Sequence, residues 1–334
     1  MTMNQEFARA VELVNKSENI LVTTHTKPDG DACGAVAALV RALTKAGKNI
    51  KPLFLSGVPD WYMFLFDSPP AVLGENISLN ELKESKFIDP DLIIIVDTNS
   101  NNQLAGFCEY LKANNKPVLV MDHHVTNDGL GNIEIKDTAA AAAGQIVFDF
   151  LRYNRYEIDN EIARALFVAI VTDTGWFRFS NVDSRVLSDC SELVKLGAEP
   201  AKIYHDLYQC FSIERFNLMT VMFNTLELHF EGRYATQYLN QQDFKNTGAD
   251  YKDTENLIDE CQKIGSVEAV ALFVEQADGR IKCSLRSRGG IDVRNIAQKF
   301  GGGGHIMASG MHLDGPLESA MNVIFKEFEA CFQL

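Results

Sequence analysis

Residues 91–96 read Asp-Leu-Ile-Ile-Ile-Val, an apolar run broken only at its first position, and Asp97 follows it. A strand with one wet face alternates apolar and polar residues, whereas a run like this one needs cover on both faces. Parallel sheets between two layers of helices supply such cover. The surrounding sequence repeats the arrangement. Strand-like runs at 19–24, 51–55 and 116–122 are separated by helical spacing at 4–16, 32–46 and 104–113, with one short aromatic helix near 61–66. Further helices are expected at 138–153, 161–171 and 184–196. Strands alternating with helices predict an α/β domain over residues 1–195, with a doubly wound, mainly parallel sheet.

A helical bridge is expected at 196–226, and the pattern changes from residue 227 onwards. There 233–239, 269–275 and 282–286 read as strands, while 255–263, 291–300 and 317–332 read as helices. These predict a smaller α+β domain over 227–334.

Composition narrows the function classes. The apolar runs at 92–96 and 165–171 are too short to cross a bilayer, which takes about 20 residues. Residues 4–19 are amphipathic and polar, unlike a signal sequence, so no membrane partner is expected. Seven cysteines without C-x-x-C spacing predict reduced thiols, a cytoplasmic location and no structural zinc site. A net charge of −14 argues against stable binding to duplex DNA, which needs a basic surface. It leaves room for a short phosphate-bearing ligand in a locally basic pocket.

Chemically useful side chains gather at the ends of the hydrophobic elements. His25, Asp29 and Asp31 follow the first strand, and Asp97 ends the buried run. Asp122, His123 and His124 end the next strand, and Asp173 follows the apolar helix. Open α/β sheets bind ligands outside the carboxyl ends of their strands, so all four places are expected at one edge. Imidazole and carboxylate donors without thiolate favour manganese or magnesium over structural zinc. Two such ions about 4 Å apart, bridged by a carboxylate such as Asp97, turn a bridging water into hydroxide and stabilise charge at phosphorus. The acids also have an ordinary explanation, because Asp29 and Asp31 stand where a helix N-cap belongs. Extended backbone sends adjacent side chains to opposite sides. One histidine of the pair is therefore expected on metal and the other on substrate.

The acidic balance reverses between residues 280 and 300, where Arg280, Lys282, Arg286, Arg288, Arg294 and Lys299 face one acid, Asp292. Such asymmetry marks an anion site. Arg286 and Arg288 flank Ser287 at the end of an expected strand, and guanidinium groups there can grip phosphate bidentately. The glycine run at 301–304 lets backbone amides approach a ligand. Gly302, Gly303, Gly304 and the following His305 thus join the two arginines as expected substrate-binding residues. Arg178, five residues beyond Asp173, is a further candidate for phosphate contact. Trp61, Tyr62, Phe64 and Phe66 read as a local hydrophobic cluster, and His205, His229 and His312 have no ligand partner at useful spacing.

The motifs His25-Thr-Lys-Pro-Asp29-Gly-Asp31-Ala, Val96-Asp97, Asp122-His123-His124 and Thr172-Asp173-Thr174-Gly175 resemble, in order, those of the DHH phosphoesterases. Gly301-Gly-Gly-Gly-His305 resembles the substrate-binding signature of the DHH-associated C-terminal domain. The resemblance implies one metal on His25, Asp29 and Asp97, and a second on Asp31, Asp97, His123 and Asp173. It implies that Asp122 orients a histidine and that His124 faces the phosphate or the leaving oxygen. The two-domain length resembles the oligoribonuclease branch, which trims RNAs of a few nucleotides and removes the 3′-phosphate of adenosine 3′,5′-bisphosphate (pAp). A manganese-dependent hydrolase of short RNA or nucleotides is implied, and so is a homodimer. An enzyme cleaving pApA or cyclic di-AMP shares the same core. The alternative from another class is a non-catalytic nucleotide sensor, against which the intact ligand set speaks. One departure stands at 139–143, where five alanines replace the serines and threonines of many relatives.

Overall fold

In the computed structural model, which describes residues 3–304 and 306–332, the apolar run at 92–96 lies inside a six-stranded sheet. The chain divides into two units, Met1–Cys210 and Phe211–Leu334. The first opens with α1 (Met3–Lys16), β1 (Asn19–Thr23), α2 (Gly30–Lys45), β2 (Asn49–Phe54), β3 (Ala71–Val72) and α3 (Leu79–Lys83). It continues through β4 (Leu92–Val96), α4 (Phe107–Ala113), β5 (Val118–Asp122) and β6 (Ile133–Lys136). Four helices complete it: α5 (Ala143–Tyr153), α6 (Asn160–Asp173), α7 (Ser184–Lys195) and α8 (Pro200–Tyr208). Every strand pairing is parallel, in the order β3-β2-β1-β4-β5-β6.

The sheet has the two-sided cover that the β4 sequence demands. Ile20, Val22, Ile94, Val96, Leu119 and Met121 pack with α2, α5 and α6 on one face. Leu21, Ile93, Ile95, Val118 and Val120 meet Leu82 of α3 and Phe107 and Tyr110 of α4 on the other. Each such side chain contributes about 1.5–3 kcal/mol relative to exposure. The winding reverses between β1 and β4, and a doubly wound sheet leaves a crevice at the carboxyl ends of two strands that part in this way. Helices α2 and α6 approach closely because Gly34 lacks a side chain: a Cβ there would lie 2.4 Å from the Ala165 carbonyl oxygen.

Three local expectations change. Residues 139–142 form a turn, and the helix expected from 138 begins at Ala143. The expected bridge divides, α8 going with the first unit and α9 (Ile213–Asn224) with the second. Ser212 starts α9 afresh by accepting a hydrogen bond from the Arg215 amide. The short strands β3 and β6, one at each edge of the sheet, add to those read from the sequence.

After α9 the second unit runs β7 (Glu227–His229), β8 (Tyr234–Leu239), α10 (Gln241–Thr247), β9 (Ala269–Glu275) and β10 (Ile281–Ser287). It ends with α11 (Val293–Lys299), β11 (Gly303–Gly304), β12 (Ala308–Leu313) and α12 (Leu317–Phe332). Its mixed sheet has the order β11-β12-β10-β9-β8-β7, with only β8 and β9 parallel. Ile281, Cys283 and Leu285 on one face of β10 pack with α11 and α12. Among the described residues no helix is long and apolar enough to cross a membrane.

Candidate metal centre

Three neighbouring parallel strands deliver their ends to one place. His25 stands two residues beyond β1, Asp97 directly follows β4 and His123 directly follows β5. His25 Nε2 lies 3.2 Å from Asp97 Oδ2 and 3.9 Å from Asp29 Oδ1. His123 Nε2 lies 3.4 Å from Asp97 Oδ1, 3.4 Å from Asp173 Oδ2 and 3.7 Å from Asp31 Oδ2. Asp97 adopts a left-handed conformation, φ 61°, which aspartate tolerates better than most residues and which turns the chain sharply out of β4. Such backbone strain persists where the surroundings over-determine it, as at sites of function.

Each ligand-type side chain is held by its own element. Asp29 is the N-cap of α2, its Oδ1 accepting from the Ala32 amide at 3.1 Å, so the capping role and membership of the cluster coexist in one residue. Asp31 lies in the first turn of α2, and its two oxygens accept from the amides of Ala143 and Gly144 at 2.5 and 2.8 Å. It therefore caps α5 from 112 residues away, where Ala142, the local N-cap, has no side-chain hydrogen bond. This explains the late start of α5, and a helix N-terminus suits a carboxylate. The alanine turn serves the centre through its amides rather than through hydroxyls. His25 Nδ1 faces the Thr26 carbonyl at 2.9 Å and His123 Nδ1 faces the Ala140 carbonyl at 3.2 Å. A carbonyl only accepts, so both rings place a proton on Nδ1 and turn Nε2 to the carboxylates.

The histidine pair corrects the expectation of opposed side chains. β5 ends at Asp122, so strand alternation stops before the pair begins. The two ring centroids lie 4.5 Å apart, and His124 Nδ1 comes within 3.7 Å of the same Asp97 Oδ1 that His123 approaches. His124 is anchored to buried Asp122, whose Oδ1 accepts from its Nδ1 at 2.8 Å.

The electrostatics show what the cluster lacks. Among the described residues no lysine or arginine pairs with Asp29, Asp31, Asp97 or Asp173; histidines are their charged partners. Crowding by the surrounding protein, then the charge of Asp97, pushes Asp29 upward although its side chain is 54% exposed, and burial with Asp97, Asp173 and Asp29 pushes Asp31 well up. Burial, then the charges of Asp97 and Asp29, lift Asp173 to about 7. Burial disfavours protonation of His25 and His123, but close contact with the Asp97 carboxylate and its charge outweigh it and raise both to about 9. Asp97 itself is held low: burial opposes ionisation, and the imidazole of His123 close to Oδ1, together with that of His25 hydrogen-bonded to Oδ2, overcomes it. Its Oδ1 is nevertheless buried without a hydrogen bond. Protons thus occupy the place of positive charge in a site built of carboxylates. The sets His25–Asp29–Asp97, Asp31–His123–Asp173 and Asp97–His123–His124 each bring one ligand atom per residue within 4.8 Å of the others. This donor set fits hard divalent cations.

The remaining expected substrate residues are engaged in their own units. Arg178 Nε donates to the Gly175 carbonyl at 2.7 Å, and its guanidinium lies 6.0 Å from the Phe179 ring centre. Arg286 Nε pairs with Asp259 at 2.8 Å, and Arg288 donates to the carbonyls of Gly265, Gln262 and Ile264. Neither arginine presents the free fork expected from the sequence. Gly302 and Gly304 have a packing reason, since a Cβ would lie 2.3 Å from the Gly310 carbonyl oxygen and 2.5 Å from that of Ala308. Gly303 has open space at that position. His305 lies outside the described residues. The sequence reading passed over Gln145 and Asp189, both buried and hydrogen-bonded to each other. The one visible signal was an amide side chain just before an apolar helical run.

A doubly wound parallel sheet with a histidine–carboxylate centre at its switch point, followed by a mixed-sheet unit, defines an α/β protein with a centre suited to divalent cations. The chain belongs to the DHH family: residues 19–170 match the DHH family, N-terminal domain, and residues 231–334 match the DHHA1 domain. It is 32% identical to the bifunctional oligoribonuclease and PAP phosphatase NrnA of Thermus thermophilus, over 89% of this chain and 84% of that protein. An exopolyphosphatase-related protein from Bacteroides fragilis has a similar structure, with a TM-score of 0.91 at 23% identity, covering 98% of this chain and 96% of that one. Exonuclease RecJ bound to manganese shares the fold at a TM-score of 0.54 and 14% identity, covering 99% of this chain and 93% of its own.

Proposed function

We propose that this protein hydrolyses phosphoesters of short nucleotides, cutting oligoribonucleotides of a few residues to mononucleotides and removing the 3′-phosphate of pAp. The observation that carries the reading is Asp97, whose two oxygens face separate ligand sets: Oδ2 faces His25, and Oδ1 faces His123. His25, Asp29 and Asp97 would hold one divalent cation, and Asp31, Asp97, His123 and Asp173 a second, manganese before magnesium. Bound together, such ions supply an activated water nucleophile and neutralise charge at phosphorus. The activities named for the NrnA relative support the substrate class.

The chain's own groups supply the rest. Asp122 holds His124 through Nδ1, and that hydrogen bond, more than any other influence, raises the pKa of the ring. His124 therefore stays protonated to higher pH and donates from Nε2 to a phosphoryl or leaving oxygen. In the second unit, the glycine run with His305 would bind a phosphate-bearing group, joined by Arg286 and Arg288 once they exchange Asp259 and the carbonyls of Gln262, Ile264 and Gly265 for it; in the first unit, Arg178 would meet phosphate. One short basic stretch suits a short substrate, since tracking a long strand needs an extended basic groove. Seven free cysteines fit a reducing cytoplasm.

The test is hydrolysis with added manganese, comparing RNA dimers to pentamers, pAp, pApA, cyclic di-AMP and pyrophosphate. Mononucleotides from the short RNAs together with phosphate from pAp establish the reading. Cleavage confined to pApA or cyclic di-AMP replaces it with a role in nucleotide signalling, and binding without any turnover makes the protein a sensor.

A further inference from the structure

The segment 139–144, the turn and the first two residues of α5, touches the metal centre three times yet contains no side chain larger than a methyl group. The Ala140 carbonyl accepts from His123, and the Ala143 and Gly144 amides hold Asp31. Something else has to hold the turn. Gln145, 1% exposed at the start of α5, accepts from the Ala141 amide through Oε1 at 2.8 Å. Its Nε2 donates at 2.6 Å to Asp189 of α7, a carboxylate 7% exposed. A second route runs from the same helix: Arg185 pairs with Asp137 at 2.6 Å, and Asp137 accepts from the Ala139 amide at 3.0 Å. Asn181 ties the turn to the end of α6, donating to the carbonyls of Ala141 and Asp173 at 3.3 and 3.1 Å.

We infer that Gln145 and Asp189 are positioning residues of the metal centre. They lock the turn so that its backbone presents an acceptor to His123 and two donors to Asp31. The chemistry is specific. One side chain must accept from an amide and donate to a carboxylate at the same time, and a carboxamide is the uncharged group that does both from one planar end. Removing it strands the Ala141 amide and the Asp189 carboxylate in the interior, so the turn has reason to move. Groups that orient metal ligands typically cost about 10–100-fold in metal affinity or activity when they are lost. The inference rests on the proposed metal-dependent function and adds α7, which supplies no ligand, to the parts on which that function depends.

The test exchanges the polarity of the pair in the full-length protein. Gln145→Glu sets two carboxylates against each other; Asp189→Asn keeps an oxygen for the Gln145 amide. Combined, they restore a hydrogen bond in the reverse sense, with Glu accepting from both Ala141 and the new amide. Manganese affinity by calorimetry, melting temperature, and kcat and KM on pAp are measured for each. Gln145→Glu should weaken one ion roughly 10–100-fold and lower kcat with KM nearly unchanged, and Asp189→Asn should shift both in the same direction but less, because it keeps an acceptor for Gln145. The double variant should recover both manganese affinity and kcat. A lower melting temperature with unaltered manganese affinity in Gln145→Glu, or a folded double variant that recovers nothing, overturns the inference. Gln145→Leu gives the same answer without added charge, and if it fails to fold, the comparison of the Glu single and double variants still decides. Wild-type protein that binds two ions but hydrolyses none of the substrates sinks the functional reading and leaves the positioning to be judged by calorimetry.

Discussion

Asp122 accepts two hydrogen bonds from the residue two places on, His124, through its Nδ1 at 2.8 Å and its backbone amide at 3.2 Å. The carboxylate is fully buried, so its charge acts on the imidazole with little screening by water. If His124 donates a proton or hydrogen bond during turnover, Asp122 sets the upper pH limit of that step. Asp122→Asn keeps an acceptor but removes the charge, so the alkaline limb of the kcat profile should move to lower pH. Asp122→Ala removes both and should lower kcat roughly 10²–10⁴-fold. A pH–rate series on pAp checks this. An alkaline limb that stays put in Asp122→Asn would remove His124 from the role assigned to it.

Asp97 is the residue on which both proposed ions converge. Replacing it with asparagine keeps the volume and removes the charge that two histidines face. Turnover should fall by roughly 10²–10³-fold or more, because preorganised charge at the reacting centre is lost. Calorimetry should show weaker binding of both ions rather than one. Loss of a single ion would mean that Asp97 belongs to one site only.

The raised proton affinities make the metal-free protein pH-sensitive in a defined direction. His25 and His123 are lifted to about 9 and Asp173 to about 7, and Asp29, Asp31 and His124 also move up. Each binds its proton more tightly folded than unfolded, so it contributes stability that is fully present below its unfolded pKa. That contribution disappears as pH rises through about 7 for Asp173 and about 9 for the two histidines. Asp97 has the opposite sign, and its contribution is lost only in acid, below the usual carboxylate range. The urea midpoint of chelator-treated protein should therefore fall from pH 5 to pH 9. Saturating manganese should reverse the trend, since metal takes the place of the protons. A flat metal-free profile would contradict the crowding of carboxylates described above.

Much of this centre was readable before the fold was known, for a physical reason. Ligands in an open parallel sheet sit just past apolar runs, and the run at 92–96 ending on Asp97 shows this in one dimension. Asp29 and Asp31 were open to two readings, and the structure gives Asp29 both of them while sending Asp31 to cap another helix. What stayed hidden is tertiary. The start of α5 depends on a carboxylate 112 residues away, and no local propensity reports it. β6, Ile-Glu-Ile-Lys, is a partly exposed edge strand too short to stand out from its loop. The convergence of His123 and His124 depends on where β5 stops, a matter of a single residue. Arg286 and Arg288 looked free because sequence shows charge but not the carbonyls and Asp259 that engage it.

The packing of α2 on α6 offers a test that joins stability to the site. A methyl group at Gly34 would lie 2.4 Å from the Ala165 carbonyl oxygen and 2.9 Å from the Ala169 amide, both backbone atoms that cannot swing aside. The helices must separate to admit it. Overpacking of this kind costs about 1–3 kcal/mol, so Gly34→Ala should lower the urea midpoint accordingly. The same separation moves Asp31 on α2 away from Asp173 at the end of α6, the two carboxylates that share His123. Manganese affinity should therefore fall along with stability. Gly106→Ala is the control: nothing lies within 4 Å of a Cβ there, and its change should stay within about 0.5 kcal/mol. If Gly34→Ala lost stability but bound manganese as tightly as wild type, α2 and α6 would not be setting the distance between the two carboxylates.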